Sequence, residues 1–162
     1  MEKIPESKVK IRFIDCDPLG HLTNSRYVDY MLNAREDHVN EAYNLDYFEY
    51  SKTTGNAWVA YQNQITYLRE VSFNEQVIIS SKIIEIQESE GIIEILMMDN
   101  EKKQVKAVLW TTIVHMNLFK RKRENHSDEI YEMLQQVLVP IEQKTYQDRV
   151  NYLKSNNKNG NS

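Results

Sequence analysis

Two aspartates and a histidine crowd one short stretch near the start of the chain, Asp15-Cys16-Asp17-Pro18-Leu19-Gly20-His21, and Asn24 follows closely. An ionised carboxylate serves as a general base toward water or as an oxygen nucleophile toward a carbonyl. Asp-Pro-x-Gly is also an ordinary turn sequence, with aspartate at the first position and proline at the second. A helix starting just after such a turn offers unpaired backbone N–H groups near Thr23 to Ser25, able to stabilise an oxyanion. Asn24 adds a side-chain donor or simply caps that helix. His21 fits a positioning role better than that of a lone base.

Other reactive types are less well placed. Cys16 has no base partner and reads as a buried, inert thiol. His38, His115 and His126 are scattered and show no ligand spacing, so no metal site is expected. Lys120-Arg121-Lys122-Arg123 would meet phosphates, with Arg69 as a further cation, or form a solvated charge run.

The elements that must hold these residues follow from periodicity. Val9, Ile11 and Phe13 alternate with Lys10 and Arg12, as in a half-buried strand. Tyr27, Tyr30, Met31, Ala34 and His38 recur at helical spacing and define the apolar face of the first helix, capped by Asn24 or Ser25. Glu36 falls on its polar face. Residues 44 to 56 read as a connecting loop with at most a short helical turn.

From Ala57 to Phe119 the chain reads as antiparallel strands with short turns, including isoleucine-rich runs at Val77 to Ile86 and Ile92 to Met98. Ile130, Met133, Leu134, Val137, Leu138 and Ile141 give a second helix, which Pro140 ends or bends. Tyr146, Val150 and Leu153 suggest a last short helix. The expected organisation is one domain over 1–125, a helical extension of the same domain over 126–154, and a disordered polar tail over 155–162.

Composition bounds the function. The chain has 162 residues, a net charge of −4 and one cysteine, so it suits a single domain without an internal disulfide. No basic face marks a nucleic-acid protein, and no apolar run is long enough to span a membrane. The expected address is the cytoplasm.

Read together, Arg12-Phe13-x-Asp15-Cys16-Asp17-Pro18-x-Gly20-His21-Leu22-x-Asn24-x-x-Tyr27-x-x-Tyr30, closed by Ala34-Arg35, resembles the hotdog thioesterases, the group that contains 4-hydroxybenzoyl-CoA thioesterase. The resemblance spans about residues 8 to 119. It implies an α+β hotdog fold, an antiparallel sheet wrapped around a long central helix, here with a C-terminal helical extension. It also implies hydrolysis of an acyl-CoA thioester, with coenzyme A as part of the substrate and no separate cofactor.

The catalytic carboxylate carries over to Asp17, as nucleophile or general base, with Asn24 and His21 beside it. Thr23, Ser25, Tyr27, Tyr30, Lys120 and Arg121 become candidates for substrate binding, and Asp15 for a structural role. Thr23 stands where many relatives carry the first of two adjacent asparagines. Sites on this fold form between subunits, so a homodimer or homotetramer is implied.

Three rival functions share the fold. An acyl-carrier-protein thioesterase would use the basic residues 120–123 equally well. A non-catalytic acyl-CoA-binding module would not need Asp17 and Asn24. A dehydratase or hydratase would need a different acid/base pair, which the chain does not show.

Overall fold

A computed structural model describes residues 1–159. In chain order the elements are β1 (Glu6–Lys10), a single 3-10 turn at Phe13–Asp15, α1 (Asn24–Tyr43), α2 (Tyr47–Thr54), β2 (Asn56–Tyr67), β3 (Gln76–Ile86), β4 (Glu90–Asp99), β5 (Val105–Asn117), β6 (Lys122–Arg123), α3 (Asp128–Val137) and α4 (Tyr146–Asn159). The strands form one antiparallel sheet in the order β1-β3-β4-β5-β2, with β6 beside the end of β5. The sheet curls around α1, the hotdog arrangement of an α+β protein.

The central strands are apolar on both faces because both faces are covered. On the α1 side, Ile79, Ile95, Met97 and Leu109 meet Tyr27, Met31, Ala34 and Val39. Truncating a side chain as deeply buried as Met31 to alanine would cost about 2–5 kcal/mol. On the opposite face, Ile84, Val108 and Trp110 meet Val150 and Leu153 of α4. The amphipathic α3 joins the first core through Leu134 and Val137, and Val139 N–H donates to Ile83 C=O.

Several expectations need correction. The first strand stops at Lys10; Ile11 is buried, but Phe13 enters the 3-10 turn and is exposed. Residues 44 to 56 hold a true helix, α2. Its Asp46 side chain accepts from Phe48 and Glu49 N–H, and Gly55 closes it with φ 72°. The last long strand ends at Asn117, so Leu118 and Phe119 lie in the turn beyond it.

The expected disordered tail over 155–162 is also revised. α4 continues to Asn159, and the buried Asn157 amide bonds both the N–H and the C=O of Val105 at 2.8 Å. Residues 160–162 lie outside the described residues.

Candidate active site

Asp17 sits in a turn that its own side chain helps to build. Its Oδ1 accepts from Leu19 N–H at 2.9 Å and His21 N–H at 3.0 Å. Gly20 takes φ 79°, which favours glycine, and donates back to Asp17 C=O. Asp17 N–H bonds His21 C=O, and Leu22 N–H and Phe73 N–H tie the loop to the segment before β3. These bonds occupy Oδ1; among the described residues none is formed by Oδ2. The turn reading of Asp17 is therefore correct, and it leaves one carboxylate oxygen for chemistry.

The start of α1 faces the same region. Its N-cap is Thr23, not Asn24 or Ser25, and no side chain caps it. Thr23 N–H is taken by Asp15 C=O and Arg26 N–H by Thr23 C=O, so of the expected donors the Asn24 and Ser25 N–H groups are the ones left without a cap. Asn24 is exposed, and its C=O accepts from Tyr67 Oη at 3.1 Å. Tyr67 also packs edge-on against Tyr27, with ring centroids 5.0 Å apart. Burial pushes the Tyr27 phenol up to about 12, so it remains neutral.

Asp17, His21, Asn24, Tyr27, Tyr67 and Arg69 line one open cleft of about 300 Å³. The His21 ring does not bond Asp17; its Nε2 lies 3.6 Å from Glu70 Oε2. Thr23 and Ser25 are exposed at the start of α1 and are not among the residues that line the cleft.

Tyr30 does not join them. Its hydroxyl donates to Asp15 Oδ2 at 2.7 Å and accepts from Arg12 N–H at 3.1 Å. Burial and that bond to Asp15 raise its pKa. Asp15 also lies 3.6 Å from Arg26, which fixes it as the brace between the turn and α1. Cys16 is half-buried, not fully buried. Burial, then Asp15 and Asp17, raise its thiol pKa, so the thiolate is disfavoured.

Lys120 and Arg121 are elsewhere in the chain. They follow the Asn117 end of β5, which pairs with Asn56, whereas the cleft sits at the Tyr67 end of β2. Eleven residue steps of strand separate the two ends, about 35 Å. Lys120 lies 3.8 Å from Glu124, and Arg123 bonds Glu90 at 2.8 Å, which offsets part of the basic run.

A second site escaped the sequence reading. An apolar cavity of about 280 Å³ lies between the middle of α1 and the sheet, lined by Trp58, Ile93, Ile95 and Ile113 together with Arg35 and Glu36. Glu36, assigned to the polar face, reaches this lining while staying exposed. Arg35 follows Met31 by four residues and shares its buried stripe, a signal masked by its charge. The scattered His115 and His126 also meet, with ring centroids 4.7 Å apart, and Trp58 Nε1 donates to His126 Nε2.

Residues 11–138 match the family model described as the thioesterase-like superfamily. The long-chain acyl-CoA thioesterase FadM of Escherichia coli (strain K12) is 25% identical over 133 residues, covering 82% of this chain and 98% of that protein. Among solved structures, the probable thioesterase YbaW from Escherichia coli superposes with a TM-score of 0.72 at 24% identity, covering 83% of this chain and 98% of that one. The 1,4-dihydroxy-2-naphthoyl-CoA thioesterase Slr0204 from Synechocystis gives 0.73 at 13% identity, covering 81% and 95%.

Proposed function

Because the chain belongs to the thioesterase-like superfamily, we propose that it hydrolyses acyl-CoA thioesters at the Asp17 cleft. One observation carries the reading: Asp17, whose Oδ2 accepts no hydrogen bond among the described residues, lines the same cleft as Asn24 in the uncapped first turn of α1. The acyl-CoA assignment draws on the printed activity of the FadM relative.

Two routes use this geometry. As a general base, Oδ2 takes a proton from water while the water oxygen attacks the thioester carbon. The C–S bond then breaks, and coenzyme A leaves as the thiolate, to be protonated. As a nucleophile, Oδ2 attacks the carbonyl itself, coenzyme A leaves, and water cleaves the resulting anhydride. Either way, charge develops on the carbonyl oxygen beside the first turn of α1, with Asn24 able to add a donor. His21 positions the turn through its backbone. The route draws on protein groups and water, and coenzyme A enters as part of the substrate.

The working unit in this proposal is a homodimer joined along β2. This strand ends the sheet, runs for 12 residues and exposes Val59 and Tyr61. A long unpaired edge of this kind favours pairing with another strand. Antiparallel pairing about a two-fold axis sets the Tyr67 end of one β2 beside the Asn56 end of the other. The partner's Lys120 and Arg121 would then lie beside the Asp17 cleft, within reach of coenzyme A phosphates.

Thiol release from short, medium, long and aromatic acyl-CoAs tests the reading, with Asp17→Asn measured in parallel. Turnover by the native protein that the substitution removes supports it. Absence of turnover on every CoA ester, with acyl carrier protein esters cleaved instead, would transfer the activity to the carrier-bound substrate.

A further inference from the structure

Arg35 is only 5% exposed, although it is charged at any physiological pH. Its Nη1 donates to Tyr43 Oη at 3.2 Å and Ser81 Oγ at 3.1 Å. The guanidinium carbon stands 5.0 Å over the Tyr43 ring. Its Nε is buried with no hydrogen-bond partner, and no carboxylate is ion-paired to it among the described residues. Among the described residues, the groups bonded to this cation are hydroxyls, with a ring face against it.

The neighbouring groups do not supply the missing negative charge. His38 bonds Ser81 through Nδ1 and Ser7 through Nε2, both at 2.8 Å. Burial, then the Arg35 charge, push its pKa down, so the ring is neutral. Burial raises the Tyr47 phenol and keeps it protonated. Glu36 lines the same cavity but is solvent-exposed and makes no ion pair with Arg35 among the described residues. A buried cation left this way is costly unless something completes it.

The rest of the cavity wall is mainly apolar, with Trp58, Ile93, Ile95 and Ile113, and its other polar members are Tyr47, Thr111 and the exposed Glu36. An apolar chamber with one unpaired guanidinium in its lining suits an apolar ligand ending in an anion. We infer that this cavity binds a carboxylate-tipped acyl group, with Arg35 receiving the carboxylate. The source of that acyl group, a CoA thioester held at the Asp17 cleft of the other subunit, rests on the proposed function and its β2-joined dimer; recognition of the carboxylate rests on the cavity alone.

Octanoate and 1-octanol separate the two parts, because they share a chain and differ in the anion. Calorimetric titration of the wild-type protein is expected to show octanoate bound roughly tenfold tighter or more, as one charge-assisted hydrogen bond implies. Arg35→Met should abolish that advantage, and Arg35→Lys should keep part of it. In turnover, kcat/KM for suberyl-CoA should exceed that for octanoyl-CoA in the wild type, and the order should reverse in Arg35→Met. Equal binding of octanoate and octanol by the wild type overturns the inference even if the variants fail to fold. So does an octanoate advantage that survives Arg35→Met. An Arg35-dependent octanoate advantage without a suberyl-CoA preference overturns the acyl assignment and leaves a site for a free carboxylate. Failure of hydrolysis alone affects the proposed function and not the binding result.

Discussion

Arg35 and Arg149 are both buried, and each lies over a tyrosine ring, yet they are satisfied in opposite ways. Arg149, on α4, forms a two-pronged pair with Glu94 of β4: Nε to Oε2 and Nη2 to Oε1, each 2.7 Å. Trp110 Nε1 also donates to Glu94 at 3.0 Å, and Lys82 lies 3.4 Å away. Arg35, across the sheet on α1, has hydroxyls, an orphaned Nε and a cavity. A closed ion pair fastens a helix, while an open cation against a cavity waits for a ligand. The α4 face is closed by this ion pair, and the α1 face carries the proposed chemistry.

Breaking the closed pair should have the larger effect on stability. Glu94→Gln leaves Arg149 buried without its anion and is expected to cost about 3–5 kcal/mol, read by chemical denaturation. Burial alone would raise the Glu94 carboxyl, but its bonds and charge contacts with Arg149, then Trp110 and Lys82, bring it below the ordinary 4.5. Its folded-state pKa is therefore depressed. The contribution is present above the unfolded value and lost as pH falls through the folded one. The gap between wild type and Glu94→Gln should be full at neutral pH and shrink below pH 4.5. A gap unchanged in acid would contradict the role given to this pair.

Arg35→Met should behave differently, because it removes a cation that has no anion to strand. Its stability should stay within about 1 kcal/mol of wild type, or rise. A loss as large as that of Glu94→Gln would make Arg35 a structural residue and erase the contrast.

A smaller change sharpens the contrast at the start of α1. Thr23→Asp would supply the cap that the helix lacks and should add about 0.5–1 kcal/mol of stability. By occupying first-turn donors and adding negative charge, it should lower turnover at the same time. A gain in both would argue against those donors acting on substrate.

The parts of the molecule also differed in how far the sequence revealed them. The Asp17 turn was legible because its parts are neighbours in the chain: aspartate, proline, a glycine with positive φ and the helix that follows. Alternating and continuous apolar runs gave the strands, and the strand–helix–strands order gave the fold class. Arg35 closed the family motif, but its burial beside a cavity was not legible, because Ser81 and the cavity walls come from distant strands and its charge hid its place in the Met31 stripe. α2 was readable in principle from Asp46, Glu49 and Gly55, but the face it buries is two tyrosines, Tyr47 and Tyr50 against Trp58, too short a run to show a period. The tail hid its helix because Asn157 anchors it through amide bonds to Val105, which hydropathy does not register.

The most direct test of the Asp17 assignment sets Asp17→Asn beside Asp17→Ala, with thiol release and thermal melting measured on both. Asparagine keeps an acceptor for Leu19 and His21 N–H, so Asp17→Asn should melt close to wild type while turnover falls about 10²–10⁴-fold. Alanine loses the turn as well, so Asp17→Ala should lose the same activity and also melt lower. Asp17→Asn with near-native turnover would contradict the account and reduce Asp17 to a turn residue.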